Sequence, residues 1–588
     1  MGRDIDLNAP ELRARAVMAA QGLAPFDIVV SNTRLLDMVT GRERRADIGV
    51  VGGLIASVQT SLSTYDSGIV IDGNERFAVP GLIDTHMHVE SSMVTPAEYA
   101  AAVVPRGVTT VVWDPHEFAN ACGQDGVDYA TSAGLDLPLR FLTLAPTCVP
   151  SAPGYETSGG DFGPNVLSEL LARDDIHGAA EVMTMHPLLS GDQRVAGIVG
   201  AGLASGKRVC GHARGLEGGA LAAYAAAGVE TDHELSSAED LLARLEAGMT
   251  VELRGSHGHL LPEFANVILD LGHLPQTVTF CTDDVFPDDL QQYGGLDHVV
   301  RRMIAHGLPP AWAYRAATLN AATRIGRPDL GLIAPGRRAD IVLLDDLEDV
   351  KASLVMADGV LVSENGNLNV PAPAIDPPAK LKTSVALSEL RPDDFEVFAT
   401  AQKARIATLS KPRFPVWGER EVDVEDGRLV LPDDMIRMAV ANRYGRFSPV
   451  RVAFLEDWGG WRGAFATTVS HDSHNLTVFG RDPVDMALAA NSVRGSDGGL
   501  CVVANNNVLA HLELPLAGLV SEAPLRKTAR DFALVRESLD QLVDWSPPYL
   551  VFKALFGASL VCNEGPRLSD VGLVDVFKER VLRTPVLP

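Results

Sequence analysis

The stretch G-L-I-D-T-H-M-H-V-E-S-S, residues 81–92, sets two histidines at i and i+2 directly after a short apolar run. On a strand those positions share one face. His86 and His88 can therefore grip one metal ion from a strand's end, with Glu90 two residues further on. Two histidines alone are equally compatible with a plain surface loop, so the rest of the chain has to decide.

Further ligand-type residues stand at comparable places. T-T-V-V-W-D leads to Asp114, His116 and Glu117; G-A-A-E ends in Glu181; R-V-C-G-H ends in His212; V-E-T-D-H ends in His233; T-V-T-F-C-T-D-D carries Asp283 and Asp284. Six of these, His86, His88, Glu181, His212, His233 and Asp283, make a mixed imidazole and carboxylate set without thiolate. Such a set suits Mn²⁺, Fe²⁺ or Zn²⁺ without choosing among them. Two cations explain so many ligands, and two cations need a shared anion between them. Glu181 is placed to bridge, His86, His88 and Asp283 to complete one ion, and His212 and His233 the other. A water acidified between the ions is hydroxide near neutral pH, and Asp283 can accept its proton.

The elements that position these residues follow a clear rhythm. Between 78 and 329, eight short apolar strands alternate with Ala-rich helical segments: G-L-I-D-T-H, T-T-V-V-W-D, R-F-L-T-L-A-P, G-A-A-E, R-V-C-G-H, V-E-T-D-H, M-T-V-E-L-R and T-V-T-F-C-T-D-D. This is the pattern and size of a (βα)₈ TIM barrel, whose chemistry sits at the C-terminal ends of its strands. Residues 26–77 and 330–370 are β-rich and similar in style, and are expected to pair as one small β-sandwich around the inserted barrel. Residues 1–25 read as a helical segment, with Asn8 as cap, Pro10 in the first turn and Gly22 at its end. The Pro-rich P-A-P-A-I-D-P-P leads into a C-terminal α/β domain, 376–588.

The chain of 588 residues is too long for one core, and two to four domains are expected. Its 46% hydrophobic and 21% charged residues are those of a soluble globular protein. A formal charge of −26 argues against nucleic acid and against anionic membranes as partners. The six cysteines form no C-x-x-C pair and read as buried thiols of a reducing compartment. With no signal-peptide core near the start and no long apolar run, a cytoplasmic protein is expected, assembled as a homo-oligomer.

P-G-L-I-D-T-H-M-H, the histidines of strands five and six, the T-D of strand eight and the closing A-T-L-N-A-A-T-R-I-G … G-L-I-A-P-G-R-R-A-D-I-V-L-L resemble the amidohydrolase superfamily over about residues 26–365. Many members bridge their metals with a carboxylated lysine, whereas this chain has Glu181 in that place. That departure, together with H-M-H-V-E-S-S, W-D-P-H-E, C-T-D-D and V-S-H-D-S-H-N (469–475), resembles the adenine deaminase family across nearly the whole chain. The resemblance implies hydrolysis of adenine to hypoxanthine and ammonia, as in purine salvage, at a two-metal site of iron or manganese.

Deamination also needs an acid for the ring nitrogen and the departing ammonia. The H-x-x-E that single-metal deaminases carry after strand five is missing here, where the strand runs His212-Ala213-Arg214-Gly215. Glu90 and Glu117 are the replacements considered. Asp284 resembles the second Asp of the adenosine deaminase T-D-D and is a candidate purine contact. His116, His471, Asp472 and His474 are further candidates, the last three on a tail domain expected to close the barrel mouth and shield the substrate from water. One rival is another binuclear amidohydrolase acting on a cyclic amide or an N-acyl amino acid. Such enzymes often carry an Arg after H-x-H, where this chain has Glu90. A second rival, of another class, is a metal-free structural homologue.

Overall fold

The computed structural model describes residues 5–63, 67–412, 414–445, 449–545 and 548–588, without the side chains of 548–551. The eight apolar runs form parallel strands: Leu82–Met87, Val108–Trp113, Arg140–Thr143, Gly178–Val182, Arg208–Gly211, Thr231–Asp232, Thr250–Arg254 and Val278–Cys281. Strands one to three make one ladder, four and five a second, six to eight a third. Backbone bonds join these ladders into a closed ring. Ala145 links strands three and four, accepting from Ala180 and donating to Gly178. Glu230 donates to Val209 between five and six, and Asp283 donates to His86 to join eight to one. The ring is a (βα)₈ barrel. Its strands are buried almost throughout, as expected when helices cover a parallel sheet.

The two β-rich flanks meet in one nine-stranded sheet. Phe77–Pro80 is its seam, parallel to Ile28–Leu36 on one side and antiparallel to Ile341–Leu344 on the other. Val30, Ile48, Ile55, Ala78, Ile341 and Met356 share one core there. A buried charge cluster locks this sheet beneath the barrel. Arg140, at the start of strand three, pairs with Asp340 at 2.8 Å and Asp358 at 2.7 Å, and Arg338 also reaches Asp358 at 2.7 Å.

The N-terminal helix spans Pro10–Ala20. Asn8 does not cap it. Pro10 forces the preceding residue out of helical geometry, so Ala9 occupies the cap position, and the Asn8 side-chain Oδ1 accepts from the Arg13 guanidinium at 3.4 Å instead.

The C-terminal part is built on a second nine-stranded sheet, whose central strands include Arg451–Glu456, Met435–Ala441 and Leu476–Gly480. The helices Pro483–Gly495 and Leu525–Leu542 pack on it. Direct bonds tie this part to the barrel. Tyr444 donates to the carbonyls of Asn120 and Ala121, each at 2.9 Å, and Asn475 donates to Thr157 at 3.1 Å. The Thr157 amide donates to Asp570 at 2.9 Å, and the Leu525 amide to Glu98 at 2.9 Å. No helix of the described residues is long and apolar enough to cross a membrane.

Candidate active site

The six ligand-type residues converge at the C-terminal rim of the barrel. His86 lies in strand one and His88 just beyond it, their rings edge to face at 4.8 Å between centroids. Glu181 stands at the centre. Its Oε1 is 3.8 Å from His86 Nε2 and 3.6 Å from His88 Nε2, while its Oε2 is 2.7 Å from His212 Nδ1 and 3.3 Å from His233 Nε2. One carboxylate thus presents one oxygen to each pair of histidines. Asp283 Oδ1 faces the first pair, 3.6 Å from His86 and 3.5 Å from His88.

All six residues are buried. Burial would push the Glu181 and Asp283 carboxyls up. His233 and His212 hold Glu181 well below the usual range, and Arg254 with His86 and His88 does the same for Asp283. Buried polar atoms normally have partners. Here His86 Nδ1 and Nε2, His212 Nε2 and His233 Nδ1 have none. Imidazole nitrogens left bare around ionised carboxylates, with many separations just beyond hydrogen-bond length, form a donor set that fits divalent cations. His86, His88 and Glu181 group within coordination reach of one another, as do His86, His233 and Asp283, and Glu181, His212 and His233.

A cavity of about 930 Å³ opens onto this cluster, lined by His88, His116, Glu181, His212, His233 and Asp283 among others. Its far wall comes from the tail, where His471 and Asp472 stand opposite the barrel. His116 Nδ1 lies 3.2 Å from Asp114 Oδ2, and its Nε2 lies 3.9 Å from Asp472 Oδ1. The volume is at the upper end for a small-molecule site. Selective recognition of a small ligand in such a space comes from polar contacts rather than from tight enclosure.

Residues 77–362 match the amidohydrolase family, and residues 415–580 match the adenine deaminase C-terminal domain. Over 583 residues the chain is 56% identical to adenine deaminase 2 of Rhizobium johnstonii, covering 99% of this chain and 98% of the relative. It is 46% identical to the adenine deaminase of Klebsiella pneumoniae, covering 96% and 94%, and 37% identical to that of Moorella thermoacetica, covering 97% and 98%. The chain belongs to the adenine deaminase family. Its amidohydrolase part implies divalent-metal binding, which the donor set fits.

Within this family member the remaining candidates separate by position. Glu117 is buried, with Oε1 3.3 Å from Ser91 Oγ and 3.5 Å from His471 Nδ1. Ser91 Oγ also donates to Asp284 Oδ1 at 2.5 Å, and Asp284 lines the cavity. Glu117, Ser91, Asp284 and His471 thus form one polar group between barrel and tail. Glu90 belongs elsewhere. Its Oε2 accepts from the Trp113 indole at 2.8 Å and its Oε1 from the Phe118 amide at 3.2 Å. Burial, reinforced by Glu117, pushes the Glu90 carboxyl up to about 8. Neither Glu90 nor Glu117 itself lines the cavity; Glu117 meets it through His471 and, by way of Ser91, Asp284, whereas Glu90, with both oxygens engaged, braces strand two and the helix His116–Cys122. His474 also misses the cavity. It is buried inside the tail, where its Nδ1 accepts the Ser470 amide at 3.2 Å and its carbonyl accepts from Arg443 at 3.0 Å.

Three participants went unseen in the sequence. Arg254 ends strand seven and Glu234 follows His233; their side chains meet at 2.6 Å beside Asp283. Ser91 joins Glu117 to Asp284. The only cues were an Arg at a barrel strand's end in V-E-L-R and an acid directly after a ligand-type His in D-H-E.

Proposed function

We propose that this chain hydrolyses adenine, with water, to hypoxanthine and ammonia. The carrying observation is Glu181, which offers one oxygen to each of two histidine pairs at the floor of a cavity roofed by the adenine deaminase C-terminal domain. His86, His88 and Asp283 would hold one divalent ion, His212 and His233 the other, and Glu181 would be shared. Manganese or iron is the proposed occupant. Such a pair supplies Lewis acidity and lowers the pKa of water, so that a nucleophile exists near neutral pH.

The chain's own residues supply the proton chemistry. Asp283 receives the proton that the attacking water gives up and passes it to the departing ammonia, while Arg254 and Ser256, which donate to its Oδ2, hold the carboxylate in place. Glu117 is the proposed donor to N1 of the ring. Burial and the Asp284 charge push its carboxyl up while His471 and His88 pull it back, so the proton is available to move. Asp284, His116, His471 and Asp472 are the proposed contacts for the purine's N–H and ring-nitrogen edge. In this reading residues 1–25 form a helical appendage, 26–77 with 330–370 the composite β domain, 78–329 the catalytic barrel and 376–588 the roof.

The test is ammonia release from a panel of free bases and nucleosides, with ring opening of hydantoins followed separately, with manganese or iron supplied. Adenine should be the preferred substrate, well ahead of adenosine. No ammonia from adenine under those conditions refutes the proposal, and turnover of a hydantoin instead favours a cyclic-amide hydrolase.

A further inference from the structure

Arg254 is a buried cation that the reaction scheme above touches only through its bond to Asp283. Its side chain is only 8% exposed. Nη1 lies 2.6 Å from Glu234 Oε1 and 2.6 Å from Asp283 Oδ2, bridging two carboxylates. Nη2 lies 2.7 Å from His257 Nε2. Ser256 Oγ donates to the same Asp283 oxygen at 2.8 Å. The Asp283 backbone is fixed as well, with φ at 58° in the left-handed region and its amide bonded to the His86 carbonyl.

Rotation of the Asp283 carboxylate would exchange its two oxygens unless something distinguishes them. Arg254 and Ser256 do so by occupying Oδ2, which leaves Oδ1 toward His86 and His88 at 3.6 and 3.5 Å. The other end of the chain reaches the second histidine pair, since Glu234 Oε1 lies 4.0 Å from His212 Nδ1. One guanidinium therefore ties the ligand of one proposed ion to the neighbour of the other. One nitrogen, Nη1, meets both carboxylates while Nη2 is held at His257, so the planar guanidinium is fixed in the orientation that spans them.

We propose that Arg254 is a positioning residue that selects which oxygen of Asp283 is offered to the metal cluster and holds the two halves of that cluster in register through Glu234. This rests on the two-ion reading above and extends it to a residue that acts through Asp283 and Glu234. Groups that orient ligands in this way typically change metal affinity by about 10–100-fold when removed.

The experiment titrates metal-free wild type and Arg254→Ala with Mn²⁺, following free Mn²⁺ by its paramagnetic resonance signal, with and without millimolar guanidinium. Wild type should take up two equivalents. The variant, with unchanged circular dichroism, should bind at least one equivalent about 10–100-fold more weakly, and guanidinium should restore binding. Glu234→Gln should weaken binding in the same direction without rescue. Arg254→Ala that binds both ions as tightly as wild type overturns the proposal. So does a loss that guanidinium leaves untouched in a variant with wild-type unfolding behaviour. If Arg254→Ala does not fold, Arg254→Met is read in its place, and tight binding of both ions by that folded variant overturns the proposal equally. Failure of the wild type to bind Mn²⁺ refutes the two-ion reading underneath, whereas two bound ions without ammonia from adenine refute only the substrate assignment.

Discussion

Glu117→Gln and Glu90→Gln separate a proton donor from a structural acid at neighbouring buried carboxylates. Both side chains are almost fully shielded, at 1% and 2% exposure, so burial does not tell them apart. Their partners do. Glu90 accepts two bonds, from Trp113 and Phe118, whereas Glu117 faces Ser91 and His471, whose ring lines the cavity. Removing a general acid costs about 10²–10⁴ in kcat, which is roughly 2.7–5.4 kcal/mol on the barrier. Glu117→Gln should fall in that range with two metals still bound. Glu90→Gln keeps one carbonyl acceptor and puts an amide donor where the other was. The unmade bond costs about 1–3 kcal/mol, partly offset because the amide, unlike a carboxyl pushed up to about 8, takes up no proton on folding at neutral pH. Its effect should appear in the unfolding midpoint, with kcat changed less than about tenfold, below the range for a general acid. The assay is ammonia release with metal content measured on the same samples. A fully metallated Glu90→Gln that is crippled beside a near-normal Glu117→Gln would refute the assignment.

Glu181→Gln should lower bound metal from two ions to one or none, read by elemental analysis, because the shared anion loses its charge; a fully active variant with two ions would sink the bridging role. Arg244 is wholly buried and donates to Asp232 at 2.9 Å and to the Ala213 carbonyl at 2.6 Å, beneath His212 and His233. Arg244→Met should destabilise the protein by about 3–5 kcal/mol by leaving a buried carboxylate unpaired, and an unchanged denaturation midpoint would contradict this. Glu156 has its carboxyl pushed by burial from 4.5 to about 8, with one oxygen accepting from Ser151 and Ala152 and the other unpartnered. Between those two values the unfolded chain ionises while the folded one stays protonated, so stability is lost as pH rises. Glu156→Gln should keep both bonds and stabilise the protein by on the order of 1–3 kcal/mol at pH 8 but not at pH 4, and equal unfolding curves at pH 8 would refute it.

How much of this was legible in the sequence depends on distance along the chain. The barrel and its six rim residues could be read because a strand's two-residue period and the barrel's one active face leave little freedom. A residue at a strand's C-terminal end, such as His212, then has one place to go. Asn8 failed as a cap because a proline shifted the helix start by a single position. The bonds of Glu90 could not be read because its proximity to H-x-H says nothing of Trp113, which the next strand places against it. Arg254 went unnoticed because its role depends on a reach across two neighbouring strands to Glu234 and Asp283. His471 and His474 belong to one motif, yet only His471 meets the cavity. The backbone between them turns through left-handed geometry at His474, with φ at 52°, which spacing alone does not reveal.

Charge balance in the cluster leads to one more expectation. Asp114, Glu117, Glu181, Glu234, Asp283 and Asp472 are all buried around the histidines, with the buried guanidinium of Arg254 among them. Buried charges must be compensated. Without metal, protonated histidines do this. Burial would lower them, yet Asp114 raises His116 to about 10 and Glu181 raises His233 to about 9. A cation that takes His233 as a ligand must displace its proton. Binding of Mn²⁺ to the metal-free protein should therefore release protons at pH 7, and affinity should fall as pH is lowered. Calorimetry of Mn²⁺ binding in two buffers of different ionisation enthalpy measures the release. Identical heats in both buffers, with two ions bound, would mean that the histidines are already neutral, and that the cluster's negative charge is met by the carboxyls retaining protons instead.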